Sequence, residues 1–163
     1  MFRKLIPGLL AVLVLSGCSG INEAEFAGDG SCAGVIVTVN FAGYGQNINS
    51  CVSIPGTSAT AKDVLKAAGV KTEGTKAFGD LITCRVNQVP GANQTISIAG
   101  EQDYVEKCEK IPSALAYWGF YAKTAGSSEW EFAASSPTEL EVSEGDSIGF
   151  AFAVAGLSTL PTD

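Results

Sequence analysis

Cys18, Cys32, Cys51, Cys84 and Cys108 are the side chains with the widest chemical reach in this sequence. A thiol can act as a nucleophile, ligate a metal or pair with a second cysteine. The first role needs an activating base, and the 163 residues include no histidine to serve as one. Zinc favours closely spaced cysteine pairs or histidine partners, and the chain has neither. Disulfide pairing is the better reading. The carboxylates Glu101, Asp103, Glu106 and Glu109 crowd one stretch, yet no spacing marks an acid and a base among them. They read as a solvated loop surface. No phosphate-cradling glycine loop and no EF-hand loop occurs. These residues point away from catalysis, and no cofactor is expected.

Five cysteines leave one over, and the odd one needs a separate job. Arg3 and Lys4 precede an apolar run over residues 9–15. Crossing a bilayer takes about 20 apolar residues, so this run suits the core of a secretory signal instead. Leu15, Ser16, Gly17 and Cys18 follow it. The tetrad resembles the lipobox of bacterial lipoproteins. That resemblance implies a signal peptide over residues 1–17, a diacylglycerol thioether on Cys18 and an acylated new N-terminus. The protein is then expected on the extracytoplasmic face of the cell membrane, held by lipid. Outside the cytoplasm the remaining four cysteines oxidise, and three connectivities are open to them. We favour Cys32–Cys51 and Cys84–Cys108, in chain order. Each closes a loop of about 20 residues, worth roughly 3 kcal/mol of lost chain entropy.

Seventeen acidic residues oppose ten basic ones, for a net charge of −7 that becomes two units more negative once Arg3 and Lys4 leave with the leader. No basic cluster is present, so neither nucleic acid nor an anionic lipid surface is an expected partner. Residues 18–33, with several glycines and acids, read as the lipidated cysteine and a flexible tether. Residues 34–154 are long enough for one domain, and 155–163 form a tail.

The elements that must position any site read as follows. Residues 35–41, VIVTVNF, place Val35, Val37, Val39 and Phe41 on one face of a strand. A short strand is expected at Val52 and Ile54. The stretch TAKDVLKAAG predicts the one helix: Thr60 caps it, Asp63 completes a capping box, and Gly69 supplies the left-handed stop. Ala61, Val64, Leu65 and Ala68 form its apolar stripe. Further strands are expected at 81–87, 96–98, 116–122, 129–132, 139–142 and 148–154. The fold class is α+β, one helix packed on a mixed sheet and stapled by disulfides.

The motifs occur in a telling order. A VTV strand and a cysteine precede the AAG helix; Cys84, Arg85 and Val86 follow, then Cys108, a proline, AYWGFYA, a tryptophan and GDSIGFAF. This order is similar to the C-terminal β-domain of transcobalamin and intrinsic factor, and to its stand-alone bacterial relatives, over residues 34–154. The resemblance implies a β-grasp-like fold and a cobalamin-type ligand. In the vitamin carriers the corrinoid is enclosed against a large helical domain. No such domain is in this sequence, so either a partner completes such a site or the domain serves another purpose.

The ring-rich stretch 117–121 is the candidate binding element. Alternation puts Trp118, Phe120 and Ala122 on one face, beneath the helix, and Tyr117, Gly119 and Tyr121 on the other. Two tyrosines around a glycine suggest a shallow notch for a planar ligand or a protein surface. Tyr117 and Tyr121 lead the candidate set, which also holds Trp118 and Trp130. Trp130 and Phe132 are expected to face the core. Gly149, Ala151 and Ala153 form a small-residue face, expected to lie under a loop. Two functions follow: an accessory lipoprotein that captures a small ligand, such as a corrinoid, for a membrane transporter; or a surface interaction or adhesion module that holds a protein or polysaccharide without any small ligand.

Overall fold

A computed structural model describes residues 20–160. The leader 1–17 and the lipidation site Cys18 lie outside the described residues. Ten strands and one helix follow one another as β1 (Asn22–Ala24), β2 (Val35–Asn40), β3 (Ile48–Ser53), β4 (Ala59–Thr60), α1 (Ala61–Ala67), β5 (Thr72–Thr75), β6 (Gly79–Val86), β7 (Ala116–Lys123), β8 (Glu131–Phe132), β9 (Glu141–Val142) and β10 (Ser147–Val154). Six of them form one mixed sheet in the order β1-β3-β2-β10-β7-β8. Its centre is the parallel pair β2–β10; the other neighbours run antiparallel. β4 pairs with β9, and β5 with β6, as two small ribbons. Among the described residues no helix is long and apolar enough to cross a membrane.

The sheet's core face collects Val35, Val37, Val39 and Phe41 from β2 and the residue after it, Val52 from β3, Ile148, Phe150 and Phe152 from β10, and Trp118 from β7. Helix α1 covers this face with Ala61, Val64 and Leu65, all buried. The expected cap is present: the Asp63 amide donates to Thr60 Oγ1 at 3.2 Å, and the Thr60 hydroxyl donates to Asp63 Oδ2 at 2.8 Å. Gly69 takes φ +71°, and the Val70 amide reaches back to the Leu65 carbonyl at 2.9 Å. The Ala61 and Lys62 amides, which have no partner within the helix, bond the carbonyls of Leu140 and Pro137 at 2.8 Å each. That ties residues 137–140 to the start of the helix.

β10 is buried on both faces from Ser147 to Ala153, as a central strand in a parallel pair should be. A Cβ at Gly149 would stand 2.4 Å from the Thr38 carbonyl oxygen, so glycine there lets the two backbones pair. Both favoured disulfides are present. Cys32–Cys51 joins the segment before β2 to β3, and Cys84–Cys108 joins β6 to the long connection between β6 and β7.

Several sequence expectations shift. Residues 22–24, read as tether, pair with β3 as an edge strand, with the Ser50 hydroxyl donating to Glu23 at 3.0 Å. The strand expected at 96–98 reduces to one bridge between Ile96 and Tyr104. β4 and β5 carry no apolar run and gave no strand signal. β4 is paired by β9, distant in sequence, whereas β5 forms a hairpin with β6, the next strand in the chain.

Candidate functional site

β7 pairs along its whole length with β10, but its other side pairs with β8 only at Tyr121 and Ala122. Beside the remaining edge lies a cleft whose far wall is residues 81–83 of β6. Its larger lobe, about 420 Å³, is lined by Leu81, Ile82, Thr83, residues 117–120, residues 132–137 and Phe150. A second lobe of about 240 Å³ shares Ile82, Thr83, Tyr117 and Trp118 and is closed by residues 111–114. No charged side chain lines either lobe, although 17% of the chain is charged. Leu81, Ile111 and Phe132 stand around it 66%, 63% and 62% exposed. Three large apolar side chains left in solvent around one depression mark a binding surface rather than scattered exposure.

The walls are built deliberately. Arg85, buried on β6, donates to the Pro90 carbonyl at 2.8 Å, the Glu106 carbonyl at 2.7 Å and Glu73 Oε1 at 2.9 Å. Its planar fork thereby holds three parts of the chain in one geometry. Glu106, expected on a solvated surface, is instead buried. Its carboxylate accepts the Cys108 amide and the Tyr104 hydroxyl, which turns the chain toward the wall residues 111–114. The Ser113 amide donates to Tyr104 Oη at 3.3 Å. Burial, then the hydrogen bond to Glu106, pushes the Tyr104 hydroxyl up to about 12. Nothing in the local sequence distinguishes Glu106 from its three acidic neighbours; its position beside the Cys84–Cys108 bridge does.

The predicted site residues separate. Tyr117 is half-buried and borders both lobes. Trp118 borders both as well, but its ring belongs to the core: it packs edge-on to Phe41 at 5.2 Å, and its indole N–H donates to the Val89 carbonyl at 2.8 Å. Tyr121 is buried and borders neither lobe. The expected notch at Gly119 is filled by the Tyr121 ring itself, since a Cβ at Gly119 would meet Tyr121 Cε2 at 2.6 Å. That ring stacks on Phe132, centroids 4.4 Å apart, and its hydroxyl meets Ser158 Oγ at 2.7 Å.

Phe132 and Trp130 do not enter the core as expected. Phe132 is exposed, and Trp130 takes the Lys123 ammonium over its ring at 5.4 Å. Register explains the difference: Phe132 sits opposite Tyr121, so it shares the face turned away from the helix. The tail residue Thr159 is bonded by Asn40 on β2 while Ser158 meets Tyr121 on β7. A segment reaching both strands crosses β10 between them, which is how Ala151 and Ala153 become fully buried. The small-residue face is indeed covered.

Leu81, Ile82, Ile111 and Phe132, which shape the cleft, were not among the expected binding residues. Leu81, Ile82 and Phe132 lie in expected strands, whose pattern assigns them to a sheet face and not to a site, and only the fold gathers them with Ile111. No protein-family model matches the chain, and neither a curated protein nor a solved structure matches it.

Proposed function

We propose that this chain is a lipid-anchored, extracytoplasmic binding module with a β-grasp-like core, and that it works through the β6–β7 cleft. The observation that carries this reading is the charge-free double lobe, rimmed by exposed Leu81, Ile111 and Phe132 in an acidic protein. Such a surface rejects nucleotides, phosphates and metal ions, and accepts an uncharged body that buries the rim. Tyr117 and Trp118 contact the occupant; Tyr121 and Trp130 support the opposite face of the sheet.

The open edge of β7 on the cleft floor favours a polypeptide partner, in keeping with a surface interaction module. A small ring-bearing ligand is the second reading. It is supported by the lobe of about 420 Å³, within the range of small-molecule sites, and by the sequence resemblance to corrinoid carriers. A corrinoid would be only partly enclosed, so a transporter or other surface protein would complete its site. Titrating the full chain in bilayer nanodiscs with cyanocobalamin, by calorimetry, decides between them. Saturable heat that Leu81→Asp abolishes supports the small-ligand reading. No heat at millimolar ligand leaves the polypeptide reading. Heat that survives Leu81→Asp removes the cleft from the account.

A further inference from the structure

The hydrogen-bonding pattern of β7 says more about what the cleft holds; this inference rests on the binding reading above. Along an antiparallel strand, one residue's N–H and C=O point to one side and the next residue's to the other. The Leu115 carbonyl accepts the Ala155 amide at 2.8 Å, on the β10 side. On the other side, the Ala116 amide donates to the Ser113 carbonyl at 3.1 Å, and the Phe120 carbonyl accepts the Ala133 amide at 3.0 Å. Even-numbered residues therefore present their backbone groups to the cleft. Trp118 lies between these two bonds, and neither its N–H nor its C=O has a partner on that side among the described residues. With the Ala116 carbonyl and the Phe120 amide, that makes an acceptor, donor, acceptor, donor series along an otherwise apolar floor.

We infer that the cleft takes an extended polypeptide segment, which adds to β7 as a strand. An extended backbone matches that alternating series, whereas a corrinoid or lipid does not. One partner residue opposite Trp118 exchanges both bonds with it, its side chain on the same face of the sheet as the Trp118 ring. Its two neighbours turn toward Tyr117. The lobes carry no charge, so the segment is uncharged and apolar at alternate positions. Proline cannot stand opposite Trp118, because the Trp118 carbonyl needs a donor.

Random octapeptides displayed on phage, panned against the full chain in nanodiscs, test the inference. Recovered peptides should be proline-free over their centre and should weaken at least about tenfold on Leu81→Asp or Ile111→Asp, both exposed positions. N-methylation of the central peptide amides one at a time, side chains unchanged, should weaken binding about as much at alternate positions, the worth of one hydrogen bond and a steric clash at the edge. Amide exchange gives an independent readout. Without peptide the Trp118 amide should exchange faster than those of Tyr117 and Gly119, and peptide should slow it. Peptides that lose to the rim variants but ignore methylation overturn strand addition and leave the cleft reading standing. Peptides indifferent to the rim variants overturn the cleft reading itself. If no peptide is recovered, the inference fails. If the free chain sediments as a dimer that protects the Trp118 amide, the occupant is a second copy and the inference fails too.

Discussion

Gly119 and Tyr121 show how one residue's absence of a side chain dictates the position of another. The Tyr121 ring lies flat over Gly119, held by Phe132 and Ser158, so it cannot swing aside freely. Gly119→Ala should cost roughly 1–3 kcal/mol by overpacking. The penalty should largely vanish in a Tyr121→Ala background, measured by urea denaturation as a double-mutant cycle. Tyr104 makes a prediction about pH. Its ordinary value is 10 and the fold raises it to about 12, mainly by burial. An unfolded Tyr104 therefore ionises first as pH rises. The stabilisation present below pH 10 is lost progressively between pH 10 and 12. Tyr104→Phe has no such titration, so the stability gap between wild type and variant should narrow over that interval. A gap that stays constant would show that burial and the Glu106 contact do not raise the Tyr104 hydroxyl.

At the scale of elements, short structures are secured by partners from elsewhere in the chain. Helix α1 has seven residues, too few to persist alone in water. Its cap and the carbonyls of Pro137 and Leu140 satisfy its first amides. Thr60→Ala should therefore cost about 1 kcal/mol in thermal denaturation. Beyond its pairing with β5, β6 is tied to the rest of the chain by Arg85. Arg85→Ala strands the Pro90 and Glu106 carbonyls, both in buried surroundings, and should cost roughly 2–4 kcal/mol. Arg85→Lys should recover little of it, because an ammonium cannot reproduce three contacts in one plane.

In the whole molecule the two disulfides do different work at similar entropic value. Their sequence separations are 19 and 24 residues, so each should contribute about 3 kcal/mol. Cys32–Cys51 lies toward the β3 side of the sheet, with β2 and β10 between it and β7. Cys84–Cys108 links β6, one cleft wall, to the segment that leads into the other. Replacing either pair with serine should lower the urea midpoint comparably. Only loss of Cys84–Cys108 should also abolish peptide capture. Equal effects on capture would mean that the cleft depends on global stability alone.

The amino-acid sequence by itself determined the helix and its cap, the face pattern of β2, and the strands at β6, β7 and β10. These are local matters: periodicity of apolar residues and turn chemistry. The cystine pairs were one choice of three until the fold brought Cys32 to Cys51 and Cys84 to Cys108. Tertiary structure alone decided which ring faces what. Tyr121 could be read as exposed because strand alternation gives its side, but not whether a neighbour covers that side. The tail at Ser158 and Thr159 and the ring of Phe132, each distant in sequence, supply the cover. Glu106 is buried because Arg85 and Cys84 draw its loop inward, an effect with no local signature. The cleft exists because β8 is only two residues long and stops short of Trp118. An unpaired edge is a property of what fails to pair beside it, and no pattern within β7 records that.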